Sequence, residues 1–192
     1  MIVLWAMSLW VASLILCVTG FGQNELAKLG INPHAFVALG FVVWVLGWVP
    51  GWTQGSFWRV NWGFVTLAVL AWVMVGLTRE GRWWAFAVFL SLAATLARMV
   101  APLSSHQASV LPGAAIESVG LGISAGLTVG QGAPAAIVSA CAESASAFLI
   151  SLRHQHHIVG RHDLALVIVA GLSAWATGWI ASWIVTWGRR PA

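Results

Sequence analysis

Two glutamates, Glu117 and Glu143, stand inside long apolar stretches, and one arginine, Arg98, lies in the stretch before them. A charge at the middle of a bilayer costs at least about 2.5–3.5 kcal/mol on insertion scales, so such residues face protein and take partners. A carboxyl pair with nearby hydroxyls, here Ser124 and Ser139, is what a proton- or cation-linked permeation site requires. The same residues would serve as a buried polar knot that ties three helices together. The knot is the preferred expectation, and in both readings Glu143 faces other helices.

Spacing brings the two carboxyls to similar depth. The turn Gly-Gln-Gly-Ala-Pro at 130–134 separates their stretches, with Glu117 fourteen residues before Gln131 and Glu143 twelve after it. At about 1.5 Å rise per residue the depths differ by only about 3 Å. The carboxyls are therefore expected to meet across one interhelical contact. Gly113, Glu117, Gly120, Ser124 and Thr128 fall on one side of the first helix; Ala136, Ser139, Glu143, Ser146 and Ala147 do likewise on the second. Small residues let membrane helices approach closely, and Gly122, Gly126 and Gly130 add small-xxx-small spacing. Arg98 sits near the opposite end of the fourth stretch, yet its long side chain could reach towards Glu117.

The elements that must position these residues follow from composition. Of 192 residues 60% are hydrophobic and only 7% charged, against about 25% charged in a soluble domain. Such a chain cannot cover its surface with polar groups, so lipid must cover it. A helix needs about 20 apolar residues to span a bilayer. Seven stretches qualify, at about 2–20, 34–52, 61–78, 83–101, 110–129, 133–152 and 164–187. The expected fold is all-α, a polytopic transmembrane bundle forming a single domain over 1–192. The fifth stretch is glycine-rich and could be re-entrant; a full span is preferred. The first twenty residues lack a basic lead and a small-residue cleavage site, so an uncleaved first span is expected.

Five basic residues (Lys28, Arg79, Arg82, Arg189, Arg190) fall on one side of such a bundle and four (Arg59, Arg98, Arg153, Arg161) on the other. This bias tips the orientation towards N-out and C-in. Fourteen tryptophans and no tyrosine are present, many near span ends where amphipathic rings prefer the headgroup level. Trp175, Trp179, Trp183 and Trp187 recur every four residues and form one helix face, read as a lipid-facing or packing ridge.

Other chemistry is poorly supported. GISAG at 122–126 matches the Gly-x-Ser-x-Gly elbow, but no strand precedes it and no histidine lies in the interior of any span to serve Ser124. RHQHHIVGRHD holds His154, His156, His157 and His162, weak metal candidates whose spacing fits no structural zinc pattern; a solvated loop is preferred. Cys17 and Cys141 read as inert buried thiols. The basic residues form no stripe, which argues against nucleic acid. No phosphate loop, HExxH helix or dinucleotide fingerprint is present, so neither an enzyme nor a cofactor is expected.

In the C-terminal third, Glu143 in an apolar helix precedes a loop with Val159-Gly160, then Asp163 and the run LALVIVAGLSAWA. In this it resembles the YphA-type family of small polytopic membrane proteins of endospore-forming bacteria. The abundance of tryptophan, the lack of tyrosine and the histidine loop depart from that family. The resemblance implies a protein of the bacterial cytoplasmic membrane, linked to sporulation, without implying a mechanism. The expected role is structural or accessory, through helix packing or association with partner membrane proteins or its own copies. The alternative is a small transporter or channel component that passes a small ion or solute by way of Glu117 and Glu143.

Overall fold

The structure of the protein, a computed structural model, describes residues 2–20, 23–49, 52–54, 58–77, 81–100, 110–153 and 157–188. Among these the chain is all-α apart from three short strands. Seven long helices run in chain order: α1 (Ile2–Val18), α3 (Pro33–Trp48), α4 (Trp62–Leu77), α5 (Gly81–Val100), α6 (Val110–Val129), α7 (Gly132–Arg153) and α8 (Arg161–Gly188). A short α2 (Gln23–Lys28) lies in the connection after α1. Among the described residues two helical segments, Gly132–Leu152 and Arg161–Gly188, are long and apolar enough to cross a membrane. Ile2–Val18, Pro33–Trp48, Trp62–Leu77 and Ala115–Val129 are apolar but shorter.

Local chemistry sets several helix ends inside the apolar stretches. Asn32 caps α3, accepting from His34 N at 2.9 Å with Pro33 in the first turn. The helix stops at Trp48 because Val49 precedes a proline and is extended (φ −66°, ψ 132°). Asn61 caps α4 by accepting from Phe64 N at 3.1 Å, while its Nδ2 donates to Gly47 O at the end of α3. Gly160 N–H donates to Asp163 Oδ2 at 2.8 Å, half of a capping box that opens α8. Between α6 and α7 the chain turns at Gly130, whose φ of +67° lies in the left-handed region that glycine tolerates best.

The connections carry a small sheet that the apolar pattern did not foretell. Strand β1 (Trp52–Gln54) pairs antiparallel with β2 (Trp58–Val60), and β2 pairs parallel with β3 (His157–Val159). Asn61 N–H extends the link by donating to Val159 O at 2.8 Å. The chain therefore leaves for α4 and for α8 from the same end of the molecule. Arg161 reinforces that end: its Nη2 donates to Trp48 O at 2.7 Å and its guanidinium lies over the Trp48 ring.

Helix α7 occupies the centre, touching α4, α5, α6 and α8. Its alanines and serines keep it slender, and Ala135, Val138, Ala142 and Ser146 are fully buried. Helix α6 packs along α8 through the predicted glycine pair. A Cβ on Gly126 would stand 2.8 Å from Ala174 O and 2.9 Å from Gly178 N, so the backbones approach too closely for a larger residue. The outward faces are apolar, with Leu4, Phe89, Leu92, Leu96, Ile116 and Leu127 among the exposed side chains. Trp179, Trp183 and Trp187 form an exposed ridge on α8 in which Trp183 and Trp187 stack.

Candidate functional site

Arg98 lies in the last turn of α5, and its guanidinium reaches into the bundle towards α6 and α7. Nη2 pairs with Glu143 Oε1 and lies 3.5 Å from Ser118 Oγ; Nη1 donates to Ser146 Oγ at 3.2 Å. Nε lies 3.6 Å from Glu117 Oε2. Ser118 Oγ in turn donates to Glu143 Oε1 at 3.0 Å. One planar cation thus engages partners from two other helices, a task suited to the fixed fork of an arginine.

The three charged groups differ in burial. Side-chain exposure is 1% for Glu143, 13% for Arg98 and 39% for Glu117. The Arg98–Glu143 pair is the interior one, and Glu117 closes it off at the edge. The two carboxyls are held through Arg98, which stands between α6 and α7 partners. Among the described residues two buried polar atoms have no hydrogen-bond partner: Glu143 Oε2 and Ser139 Oγ, one helical turn apart on α7.

Of the predicted residues, Arg98, Glu117 and Glu143 come together, and Ser139 lies one turn away on the same helix as Glu143. Ser124 does not join them. It is exposed on α6, two turns beyond Glu117, and its Oγ donates to Gly120 O at 2.9 Å. The face expected to pack is turned outward: Glu117, Gly120, Ser124 and Thr128 are all exposed, while Ser118, Gly122, Ala125 and Gly126 are buried. The cause is the close α6–α8 approach, which points the glycine pair inward and rotates the neighbouring hydroxyls away. Ser118 belongs to the cluster although the sequence did not single it out; its spacing of four from Gly122 was the available signal. Ser146, placed beside Glu143 by spacing, is an Arg98 partner.

His154 and His156 lie outside the described residues. His157 opens β3 and His162 sits in the first turn of α8, and among the described residues no group of three metal-ligating side chains converges. Cys17 and Cys141 are buried free thiols.

A partly open cavity of about 140 Å³ lies apart from the charged cluster, between α1, α3, α4, α7 and α8, with Leu26 of α2 at its wall. Its lining is apolar and includes neither Glu117 nor Glu143.

Comparison with known proteins places the chain beside none of them: no family model, no curated protein and no solved structure matches it.

Proposed function

We propose that the chain is a small multi-pass membrane protein with a structural or accessory role, whose embedded charges hold its helices together. The observation that carries this reading is that Arg98 is spent on Glu143, Glu117, Ser146 and Ser118, on two neighbouring helices. The cavity between α1, α3, α4, α7 and α8 has neither carboxyl in its lining, and Glu143 is engaged by Arg98 and Ser118 instead. Bilayer embedding is supported by the apolar outward faces and by the two span-length helices. The sheet supports alternating passages, because α4 to α7 return the chain to the end from which α4 departs. Seven passages would put the termini on opposite sides, and the five-against-four bias of basic residues favours N-out and C-in. The YphA-type likeness would make this the bacterial cytoplasmic membrane, with a part in sporulation. The protein then acts through its exposed helix faces, on partner membrane proteins or on its own copies.

A second reading, a proton- or cation-linked transporter or channel component, is favoured by one observation. Glu143 Oε2 and Ser139 Oγ are buried without hydrogen-bond partners, and a carboxylate and a hydroxyl one turn apart could together bind a proton or small cation. Proteoliposomes with an imposed pH gradient separate the two. The structural reading expects no flux from the wild type and loss of folded protein in Glu143→Ala. Wild-type flux that Glu143→Gln abolishes, with folded protein intact, would replace it by the transport reading.

A further inference from the structure

Resting on the bilayer reading, we propose that the cavity between α1, α3, α4, α7 and α8 is a binding site for a lipid acyl chain. Its wall includes Leu14, Phe36, Leu67, Met74, Ile137 and Trp175. Of the few hydrogen-bonding side chains that line it, Trp10 and Ser13 both donate to carbonyl groups. Trp10 Nε1 donates to Gly40 O at 3.0 Å, and Ser13 Oγ donates to Leu9 O at 2.7 Å. A polar ligand would lose its water there and gain little in return. Water itself needs two to four polar partners to occupy a cavity, and this almost wholly apolar lining offers few.

Size selects further. At about 140 Å³ the space is close to that of an apolar protein cavity of about 150 Å³ known to stay dry and to admit benzene. It therefore suits a run of roughly six carbons, a segment of hydrocarbon chain without a headgroup. The way in is apolar as well. Leu39 lines the cavity and is exposed, and Phe41 and Val42 beside it on α3 are exposed too. In a bilayer this surface meets acyl chains, the only hydrocarbon present at high concentration.

The test uses the full chain in phosphatidylcholine–phosphatidylglycerol vesicles that contain a phosphatidylcholine with a diazirine in mid-chain. After irradiation, adducts are mapped by peptide mass spectrometry. Adducts are expected on Leu67, Met74 and Trp175, and also on the outward residues Leu92 and Ile116. Ala136→Phe puts a ring into the cavity and should lower the inner adducts at least tenfold while leaving the outer ones unchanged. Ala140→Leu serves the same purpose if the first variant does not fold. Outer adducts with no inner ones would overturn the proposal, as would inner adducts undiminished in a folded, filled variant. An absence of adducts at all five residues would instead overturn the bilayer reading on which the proposal rests.

Discussion

Removing one partner of the Arg98–Glu143 pair should cost far more than removing both. In Arg98→Met the Glu143 carboxylate, 1% exposed, is left buried without its cation. A buried ion pair broken in this way loses about 3–5 kcal/mol. In Glu143→Leu the orphan is Arg98, which is 13% exposed, sits in the last turn of α5 and still has Glu117 beside it. Its long side chain can swing to the helix end, so the cost should fall at the lower end of that range, about 3 kcal/mol. The double variant Arg98→Met/Glu143→Leu leaves neither charge uncompensated in the interior, and well-packed apolar replacements of buried pairs are often neutral. It should therefore be more stable than Arg98→Met, with a coupling of about 2 kcal/mol or more. Unfolding by sodium dodecyl sulfate in mixed micelles, followed by the tryptophan fluorescence, measures all three. A loss of under about 1 kcal/mol in Arg98→Met, or strictly additive costs in the double variant, would refute the knot.

Further outcomes follow from the same geometry. Glu117→Gln should cost no more than about 1 kcal/mol by the same titration, because Glu117 is 39% exposed and its ion pair is 3.6 Å long. Gly126→Ala forces a Cβ against Ala174 O and Gly178 N and should cost about 1–3 kcal/mol by overpacking. Gly120→Ala, with no atom within 4 Å of the new Cβ, should raise the thermal midpoint, since alanine gains about 1 kcal/mol in helix propensity. Asn61→Ala removes the α4 cap and the tie to Gly47 O; a loss of about 1–2 kcal/mol should be accompanied by faster hydrogen exchange at the start of α4. Ser139→Ala deletes a hydroxyl with no partner and should be neutral or slightly stabilising in thermal unfolding.

The pairing of charges was legible because there are so few of them. With three ionisable residues in apolar sequence, depth arithmetic put Glu117 and Glu143 at a similar level; in the structure they are joined through Arg98, which was expected to reach only Glu117. Helix rotation was harder. Glu117 and Ser118 are neighbours about 100° apart on the helix, and the carboxyl invited the choice of its own face as the packed one. Gly122 and Gly126 were the better guide, because positions without a Cβ are where backbones can touch. The sheet left no trace in the hydropathy pattern: its strands have three residues each and join 58–60 to 157–159, too short for an alternation to register. The early end of α3 was readable from Pro50, which restrains Val49. The cavity could not be read at all, since its volume depends on how side chains from five long helices fail to fill the space between them.

Whether hydrocarbon covers the outward helix faces can be asked of one residue. Phe89, midway along α5, is 67% exposed. In a chain lacking its native thiols (Cys17→Ala/Cys141→Ala), Phe89→Cys is treated in intact vesicles with a membrane-impermeant maleimide. No labelling until the vesicles are dissolved in denaturant is the expected result. Prompt, complete labelling in intact vesicles would show water at that face and contradict the bilayer-embedded bundle.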